Sequence, residues 1–391
     1  MKELKVMTIF GTRPEAIKMA PLVKELKNRK QIKCLVAVTA QHREMLDQVL
    51  NLFNISADYD LDIMSDKQTL TDITVKVLKN LDKVLKKEKP DLILVHGDTT
   101  TTFVGALSSF YNQIDIGHIE AGLRTYNKYS PYPEEMNRHL TGVLADINFA
   151  PTVNNKNNLL QENIDEDKIS VTGNTVIDAI QEIVNDDYKF KNEVLKNIDF
   201  ENKKIILLTA HRRENLGEGL TGIFKAVNDI IKANPNAEVV FPVHLNPAVK
   251  KLAYKYLKDN KNVHLIEPLG YLEFANLMNK SYFIMTDSGG IQEEAPGLGK
   301  PVLVLRDTTE RQEAITAGTV KKVGVDKEVI FNEANLLLNN KKEYNKMSES
   351  VNPYGDGKAS QRIVDYILYK YNIKGDIPEI FRVKYDGNKR E

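Results

Sequence analysis

Six hydrophobic segments of this chain end in charged, hydroxyl-bearing or glycine residues, and this repetition constrains the fold more than any other feature. The segments lead into Gly11-Thr12-Arg13, Gly97-Asp98, Glu120, His211-Arg212-Arg213, His244 and Asp287-Ser288-Gly289-Gly290. In an open parallel α/β sheet, ligands bind in the crevice outside the carboxyl ends of the strands. The arrangement is therefore typical of an α/β enzyme.

The chain length and the order of predicted elements indicate two domains. Short β-rich segments alternate with helical patterns along the sequence, at spacings that suit βαβ units. A chain of 391 residues also exceeds the roughly 250–300 residues at which single hydrophobic cores stop growing. We predict two Rossmann-like domains that face a central cleft: residues 1–172, with a C-terminal helix of about 358–391 packing back on them, and residues 173–357.

The composition excludes several classes of partner. Lys plus Arg and Asp plus Glu both number 54, so no net field favours nucleic acid or an anionic membrane. Cys34 is the single cysteine, which excludes an intrachain disulfide and the clustered-thiolate zinc sites. No segment approaches the ~20 apolar residues of a membrane span. The first residues, with an acid at Glu3, do not resemble a secretory signal, so we expect a cytoplasmic protein.

A first candidate anion site follows the first predicted strand. Gly11-Thr12-Arg13 leads into a helix, so free backbone N–H groups and the positive end of the helix dipole are expected to face the crevice. Arg13 lies at that end, and Lys18 about one turn later leans back towards it. Together they could hold a phosphate. The alternative is a capped helix whose basic residues are solvated.

A second candidate anion site, Asp287-Ser288-Gly289-Gly290, repeats this arrangement in the second half of the chain. Two glycines at a strand-to-helix turn allow close approach of the backbone to a ligand, and the hydroxyl of Ser288 adds a donor. A pyrophosphate would fit there. Glu293 and Glu294 either complement the helix dipole or accept hydrogen bonds from ribose hydroxyls. A nucleotide conjugate that bridges both halves is the natural ligand.

Three carboxyl groups are candidates for proton transfer. Asp98 and Glu120 end neighbouring predicted strands, and Glu134 begins a helix after the intervening loop. Crowded carboxyl groups are expected to raise one another's pKa, which lets one site hold a proton donor and an acceptor near neutral pH. The alternatives are that Asp98 caps the following helix, that Glu120 is a hydrogen-bonded buried acid, and that Glu134 only complements a helix N-terminus.

Further candidates are basic. His211 and Arg212 are interpreted as phosphate or leaving-group contacts, with solvated surface charge as the alternative. His244 is either a ligand contact or a core histidine. Arg311 is a ligand candidate because it can open the following helix. The chain has neither a closely spaced histidine pair nor a cysteine cluster, so no metal site is expected.

These residues together resemble one family. The segments that carry the resemblance are Gly11-Thr12-Arg13-Pro14-Glu15, Val95-His96-Gly97-Asp98-Thr99, Gly117-His118-Ile119-Glu120-Ala121-Gly122-Leu123-Arg124, Pro133-Glu134-Glu135, His211-Arg212-Arg213-Glu214-Asn215 and Asp287-Ser288-Gly289-Gly290-Ile291-Gln292-Glu293-Glu294. This set is similar to the motifs of non-hydrolysing UDP-N-acetylglucosamine 2-epimerases. The resemblance runs from near residue 5 to about residue 370.

The resemblance implies the GT-B glycosyltransferase fold, a homodimer, and interconversion of UDP-N-acetylglucosamine and UDP-N-acetylmannosamine without metal or nicotinamide cofactor. It implies that Asp98, Glu120 and Glu134 are the acid/base residues and that His211 lies beside the leaving group. It also implies a set of residues that contact the nucleotide or sugar: Arg13, Lys18, Arg212, His244, Ser288, Gly289, Gly290, Glu294 and Arg311.

Two features depart from or extend the pattern. Gln312 stands where the family usually has proline, which bears on the local turn. Bacterial relatives bind a second UDP-N-acetylglucosamine as activator beside a segment that resembles Gln41-His42-Arg43, and Lys67 stands where some of them have arginine, which is not equivalent at a bidentate contact. The competing functions are a hydrolysing epimerase, a GT-B glycosyltransferase and a non-catalytic nucleotide-sugar sensor.

Overall fold

The computed structural model describes residues 3–41, 43–65, 68–309 and 311–383. The chain divides into two compact units. Unit 1 comprises residues 1–179 and 354–382, and unit 2 comprises residues 180–353 and 383–391, of which the last described residue is Val383. The predicted limits of the folding domains, at 172/173 and 357/358, stay a prediction.

Unit 1 is a sequence of alternating strands and helices. Its elements are β1 (Leu4–Phe10), α1 (Arg13–Asn28), β2 (Ile32–Val38), α2 (Arg43–Leu52), β3 (Tyr59–Asp60), α3 (Leu70–Glu88), β4 (Leu92–His96), α4 (Thr100–Tyr111), β5 (Asp115–Ile119), α5 (Glu134–Leu144), β6 (Ile147–Ala150), α6 (Val153–Gln161), β7 (Ile169–Val171) and α7 (Thr175–Ile183), which crosses into unit 2. The strands form a parallel sheet in the order β3-β2-β1-β4-β5-β6-β7.

The central strands of this sheet are continuous apolar segments because helices cover both of their faces. Met7 and Ile9 of β1 and Ile93 and Val95 of β4 are fully buried in one core cluster. Gly11 directly follows β1 where the backbone passes close to Thr39: a Cβ there would lie 1.9 Å from Thr39 Oγ1. Only glycine fits at that point, so the turn into α1 keeps its position against the neighbouring strand.

Unit 2 repeats the plan. Its elements are α8 (Glu193–Lys196), β8 (Lys204–Thr209), α9 (Glu218–Ala233), β9 (Ala237–Pro242), α10 (Pro247–Leu257), β10 (Val263–Ile266), α11 (Tyr271–Lys280), β11 (Phe283–Thr286), α12 (Ile291–Glu294), β12 (Val302–Val304), α13 (Gln312–Ala317), β13 (Val320–Lys322), α14 (Lys327–Asn339) and α15 (Lys341–Ser348). The parallel strands follow the order β10-β9-β8-β11-β12-β13. Phe224, Phe241 and Met285 are fully buried in its core.

The last helix, α16 (Ala359–Lys370), contacts α1 of unit 1. The predicted helix of about 358–391 was wrong in its end, because the helix ends at Lys370. The N–H groups of Ile373 and Lys374 both donate to the carbonyl of Leu368, and Asn372 is left-handed at φ 56°, which closes the helix. The chain then runs without helix to residue 383, and the N–H of Phe381 donates to Val171 of β7. No helix in the described ranges is long and apolar enough to cross a membrane.

Candidate functional site

The three candidate carboxyl groups lie at one edge of unit 1. Asp98 follows β4 and Glu120 directly follows β5, which pairs in parallel with β4. Glu134 is the first residue of α5. The charges of Glu120 and Glu134 both act on Asp98. The structure therefore brings the three side chains close enough to influence one another's protonation.

Asp98 forms an ion pair with Arg138 of α5. Burial raises the pKa of Asp98; the guanidinium of Arg138 opposes this, and the charge of Glu120 adds to it. Asp98 does not cap α4. Thr99 is the cap, and its hydroxyl oxygen accepts from the N–H of Thr102 at 3.1 Å. The carboxyl group of Asp98 thus has a proton affinity above its ordinary range.

The carboxylate of Glu120 is fixed by two side-chain donors. Its Oε2 accepts hydrogen bonds from Lys18 Nζ and, at 3.0 Å, from Asn174 Nδ2. Burial acts to raise the pKa of Glu120, but the charge and hydrogen bond of Lys18, together with the charges of His96 and Arg138, outweigh it, so the pKa is lowered. The expectation that crowding raises the pKa of all three acids was therefore wrong for Glu120, because an ammonium group lies directly on it.

Glu134 and Glu135 have different surroundings. Among the described residues, Glu134 Oε2 has no hydrogen-bond partner although the atom is buried. Glu135 accepts from the N–H groups of Thr125 and Tyr126 at 3.0 and 2.9 Å. Glu135 thereby holds the loop between β5 and α5, while the neighbouring Glu134 keeps an oxygen that can accept a proton or a hydrogen bond.

Two buried histidines lie behind the acids. His96 Nε2 is 3.7 Å from Glu120 Oε2, and burial lowers the pKa of His96 to about 4. Burial likewise lowers the pKa of His118 to about 3. His118 is therefore neutral at pH 7, and its Nε2–H donates to the carbonyl of Gly97 at 2.7 Å. This bond supports the Gly97 turn, at φ 69°, that leads to Asp98.

The first candidate anion site differs from the expectation. Glu15 is buried, and its Oε2 accepts from the N–H groups of Gly11 and Thr12 at 3.1 and 2.8 Å. These two donors are therefore occupied by the helix's own capping box. Arg13, the first residue of α1, is exposed, while Lys18 contacts Glu120. The expectation of free N–H groups at Gly11 and Thr12 was wrong.

In unit 2, a buried aspartate organises the strand ends. Asp287 directly follows β11 and is 0% exposed. Its Oδ2 accepts from the N–H groups of His211 and Arg212, both at 2.8 Å, and from Asn215 Nδ2 at 3.2 Å. Arg212 Nε also donates to the carbonyl of Asp287 at 3.3 Å. Asp287 thus fixes the segment after β8 that carries His211.

His211 and His244 lie together. Their rings stack with centroids 4.9 Å apart and planes 8° apart. Burial lowers the pKa of His211, and the charge of Asp287 opposes this. His244 is exposed rather than a core histidine, and its Nδ1 accepts from the N–H of Asn246 at 3.1 Å. Nδ1 is therefore the acceptor nitrogen of the His244 ring.

The glycine turn after β11 offers donors. Within the described ranges, no acceptor is bonded to the N–H groups of Gly289 and Gly290. Ser288 is half-buried, and its own N–H donates to Thr286 Oγ1 at 2.9 Å. The guanidinium of Arg311 lies over the turn, since a Cβ at Gly289 would be 3.3 Å from Arg311 Cζ. Backbone donors and a cation therefore meet at one surface.

The two glutamates of α12 are distinct. Glu293 is buried and pairs with Arg311, with Oε1 at 2.9 Å from Nε and 2.8 Å from Nη2. Glu294 is half-buried, and its Oε1 is 3.8 Å from the position of a Cβ on Gly290. Glu293 therefore orients Arg311, and Glu294 lies beside the glycine turn.

Gln312 starts α13 at the position that the family's proline would take. Its Nε2 donates to the carbonyl of Thr309 at 2.7 Å, so the side chain closes the turn before the helix. The substitution therefore keeps the helix start.

Gln41 is half-buried beside Thr101, whose Oγ1 is 3.5 Å from Gln41 Oε1. His42 and Lys67, the other candidates for an activator site, lie outside the described residues.

Arg138 and Asn174 escaped the sequence interpretation, as did the hydrogen-bonding roles of Glu15 and Asp287, which the motifs contain. Arg138 lies four residues after Glu134 in a helix, and this spacing places both on one face. That signal could have identified Arg138. The Thr12-x-x-Glu15 spacing is a capping-box signature and could have revealed the role of Glu15. The contacts of Asn174 and Asp287 join segments that are far apart, so spacing does not reveal them.

The fold and the acid set define a class, namely enzymes built from two Rossmann-like domains of the GT-B type, and the prediction of two Rossmann-like α/β domains is confirmed. A glycosyltransferase from Rickettsia africae ESF-5 shares the fold alone, with a TM-score of 0.61 and 15% identity over 96% of this chain and 100% of that chain. A family model described as UDP-N-acetylglucosamine 2-epimerase matches residues 24–368.

Similar proteins with higher identity carry the same description. The UDP-N-acetylglucosamine 2-epimerase of Bacillus subtilis (strain 168) is 57% identical over 384 residues, which cover 98% of this chain and 100% of the relative. The crystal structure of UDP-GlcNAc 2-epimerase from Neisseria meningitidis bound to UDP-GlcNAc has 54% identity and a TM-score of 0.81, covering 93% of this chain and 100% of that chain. The present chain belongs to the UDP-N-acetylglucosamine 2-epimerase family and is an isomerase.

Proposed function

We propose that this protein interconverts UDP-N-acetylglucosamine and UDP-N-acetylmannosamine by eliminating UDP and adding it back, without releasing the sugar to water. The observation that carries the proposal is the divided protonation of the acids in unit 1. The pKa of Asp98 is raised by burial, while the pKa of Glu120 is lowered against its own burial by Lys18. Carboxyl groups whose pKa values are pushed apart are the usual signature of a paired acid and base.

The reaction needs such a pair. In the closed sugar ring, the C–H at carbon 2 lies next to no carbonyl group and is hardly acidic. When UDP leaves, positive charge develops at the anomeric carbon and acidifies that C–H. A carboxylate then removes the proton, which gives a 2-acetamidoglucal. UDP adds back to the anomeric carbon while an acid delivers a proton to carbon 2 from the opposite face.

We assign these proton transfers to Asp98, Glu120 and Glu134. Glu120 is ionised at neutral pH and can act only as an acceptor at the start of a transfer. Asp98, with its raised proton affinity, can both give and take a proton. Glu134 has a buried oxygen without a partner among the described residues, which suits a contact to the sugar. Three such acids favour an epimerase over a glycosyltransferase, which needs an acceptor and no acid cluster.

Unit 2 supplies the nucleotide contacts in this proposal. The N–H groups of Gly289 and Gly290, the hydroxyl of Ser288 and the guanidinium of Arg311 form a surface for pyrophosphate. Glu294 is beside the same turn and would accept from ribose hydroxyls. The relative from Neisseria meningitidis was crystallised with UDP-GlcNAc, which supports this ligand class.

Basic groups next to these contacts complete the proposed leaving-group site. His211 and Arg212 are fixed by Asp287, and His244 stacks on His211. These groups would offset the charge of the departing UDP. Retained UDP can return to the glucal, and this return separates the proposed reaction from that of a hydrolysing epimerase.

Nuclear magnetic resonance of UDP-N-acetylglucosamine with pure protein in D2O tests the proposal. We expect UDP-N-acetylmannosamine with solvent deuterium at carbon 2. Free N-acetylmannosamine and UDP in equal amounts would identify a hydrolysing epimerase. No turnover without an added acceptor would instead favour a glycosyltransferase, and product that retains only protium at carbon 2 would exclude elimination.

We also propose that the protein is a homodimer and that a second UDP-N-acetylglucosamine near Gln41 activates it. Phe110, Tyr111 and Val143 on α4 and α5 are more than half exposed, and apolar side chains of this kind are often covered by another subunit. Sedimentation equilibrium tests the first statement. For the second, initial rates with UDP-N-acetylmannosamine, with and without trace UDP-N-acetylglucosamine, would show activation as a shortened lag.

A further inference from the structure

We infer that Asn174 is a positioning residue for Glu120: it holds Oε2 of the carboxylate, so that Oε1 is the oxygen that exchanges the proton. The inference rests on the proposed function, because it concerns the proton transfer at carbon 2. Asn174 lies between β7 and α7, is 4% exposed, and donates from Nδ2 to Glu120 Oε2 at 3.0 Å.

The two oxygens of Glu120 have different surroundings. Oε2 accepts from both Lys18 Nζ and Asn174 Nδ2. A carboxylate oxygen has about two lone-pair sites, so these two donors occupy Oε2. No described residue donates to Oε1, which lies 3.8 Å from the position of a Cβ on Gly97, the residue before Asp98. Oε1 is therefore the oxygen that remains for substrate.

The backbone at Glu120 also needs support from outside. Glu120 has φ 62°, in the left-handed region that residues other than glycine seldom adopt. Such a conformation persists only when surrounding contacts determine it. The side-chain bonds from Lys18 and Asn174 are two of these contacts.

Asn174 is itself fixed from two sides. Its Oδ1 accepts from the N–H of Val176 at 3.0 Å, which caps the start of α7, and its own N–H donates to the carbonyl of Tyr354 at 2.6 Å. A flipped amide would set its oxygen against the Glu120 carboxylate and its NH2 against the N–H of Val176. The bonding pattern thus assigns Nδ2 to Glu120 and makes Asn174 a rigid donor.

Asn174→Ser is the principal test variant. Serine is a good helix cap and can accept from the N–H of Val176, but its side chain is too short to bond Glu120. We expect kcat to fall about ten- to a hundredfold, since small misplacements of a reacting group have effects of this size. The UDP dissociation constant should stay within about twofold of wild type, since Glu120 is not a proposed phosphate contact. Asn174→Asp provides a second variant, which keeps the size and the cap acceptor but replaces the donor with a charge.

The decisive readout is the isotope effect on kcat with substrate deuterated at carbon 2, measured in both directions. If Asn174 positions the proton-transferring oxygen, proton transfer becomes more rate-limiting, and the isotope effect rises above the wild-type value in at least one direction. A purely structural loss lowers the active fraction and leaves the isotope effect unchanged. The control is Asp178→Asn in the same helix, since Asp178 accepts from the N–H groups of Ala359 and Ser360 and is not bonded to Glu120.

The outcomes separate the inference from the proposed function. A raised isotope effect in either Asn174 variant, with a wild-type value in Asp178→Asn, supports the inference. Wild-type turnover, or lower turnover with wild-type isotope effects in both Asn174 variants, overturns it while the proposed function stands. Failure of the wild-type protein to place solvent deuterium at carbon 2 overturns both.

Discussion

The two units have the same strand order but differ in how the aspartate at the strand ends is bonded. In unit 1 the order around the first strand is β2-β1-β4-β5, and in unit 2 the matching order is β9-β8-β11-β12. In each unit an aspartate comes after the strand that is fourth in chain order. Asp98 comes after β4 in unit 1, and Asp287 comes after β11 in unit 2. Asp98 keeps a raised proton affinity, whereas Asp287 is completely buried under backbone donors.

The units also differ in whether the backbone N–H groups at the first turn of the glycine segment are occupied by an acceptor. In unit 1, Glu15 occupies the N–H groups of Gly11 and Thr12. In unit 2, the N–H groups of Gly289 and Gly290 have no acceptor within the described part of the chain. In the proposed function, the unit with incompletely bonded acids carries the proton transfer, and the unit with unoccupied N–H groups binds the anion.

The largest expected effect is on turnover through unit 1. Asp98→Asn, Glu120→Gln and Glu134→Gln keep side-chain size but remove the ionisable group, so each should lower kcat by about two orders of magnitude or more. UDP affinity, measured by calorimetry, should largely survive. Glu193→Gln, at an exposed helix start in unit 2, is the control. Near-wild-type rates in all three variants would remove the distinction between the units.

The next effect is on the stability of unit 2. Asp287→Ala leaves the N–H groups of His211 and Arg212 and the amide of Asn215 without their acceptor, so we expect a loss of about 2 kcal/mol in the free energy of unfolding. Urea unfolding measures it. Asp287→Asn keeps one acceptor oxygen and should lose less. Equal stability of both variants and wild type would mean that Asp287 does not organise these strand ends.

A smaller effect concerns UDP affinity. Ser288→Ala should raise the UDP dissociation constant about fivefold, or about 1 kcal/mol, by removing a hydroxyl donor at the glycine turn. Arg13→Ala in unit 1 should weaken binding less, because Arg13 is exposed and its neighbouring N–H groups are occupied. Isothermal titration compares the two. A larger loss with Arg13→Ala would reverse the assignment of the main phosphate contacts to unit 2.

The smallest effect is a change in pH dependence. Burial raises the pKa of Glu15 above the ordinary 4.5, although hydrogen bonds oppose it. A raised pKa means that the folded protein binds the carboxyl proton of Glu15 more tightly than the unfolded chain does. The resulting contribution to the free energy of unfolding is fully present below pH 4.5 and is lost as pH rises through the folded-state pKa of Glu15. Relative to Glu15→Gln, wild type should gain unfolding free energy as pH falls from 7. Parallel pH profiles in urea titrations would contradict this.

Much of the fold followed from sequence pattern. The six apolar segments with glycine or polar ends correspond to β1, β4, β5, β8, β9 and β11, because periodicity and turn chemistry are local properties. β3 has two residues and α8 has four, which is too short for a periodic signal. The continuation of the last helix was misjudged because its end depends on the left-handed turn at Asn372 and the bonds to Leu368.

For the site, the sequence by itself determined which residues come to the strand ends and which family the chain resembles. Tertiary structure alone decided how each group is charged and which donors are available. Lys18 and Glu120 are 102 residues apart, and Asn174 and Glu120 are 54 apart, yet both contacts bear on one carboxylate oxygen. Proton affinity and donor availability depend on distance and burial between remote segments, and these quantities exist only once the chain has folded.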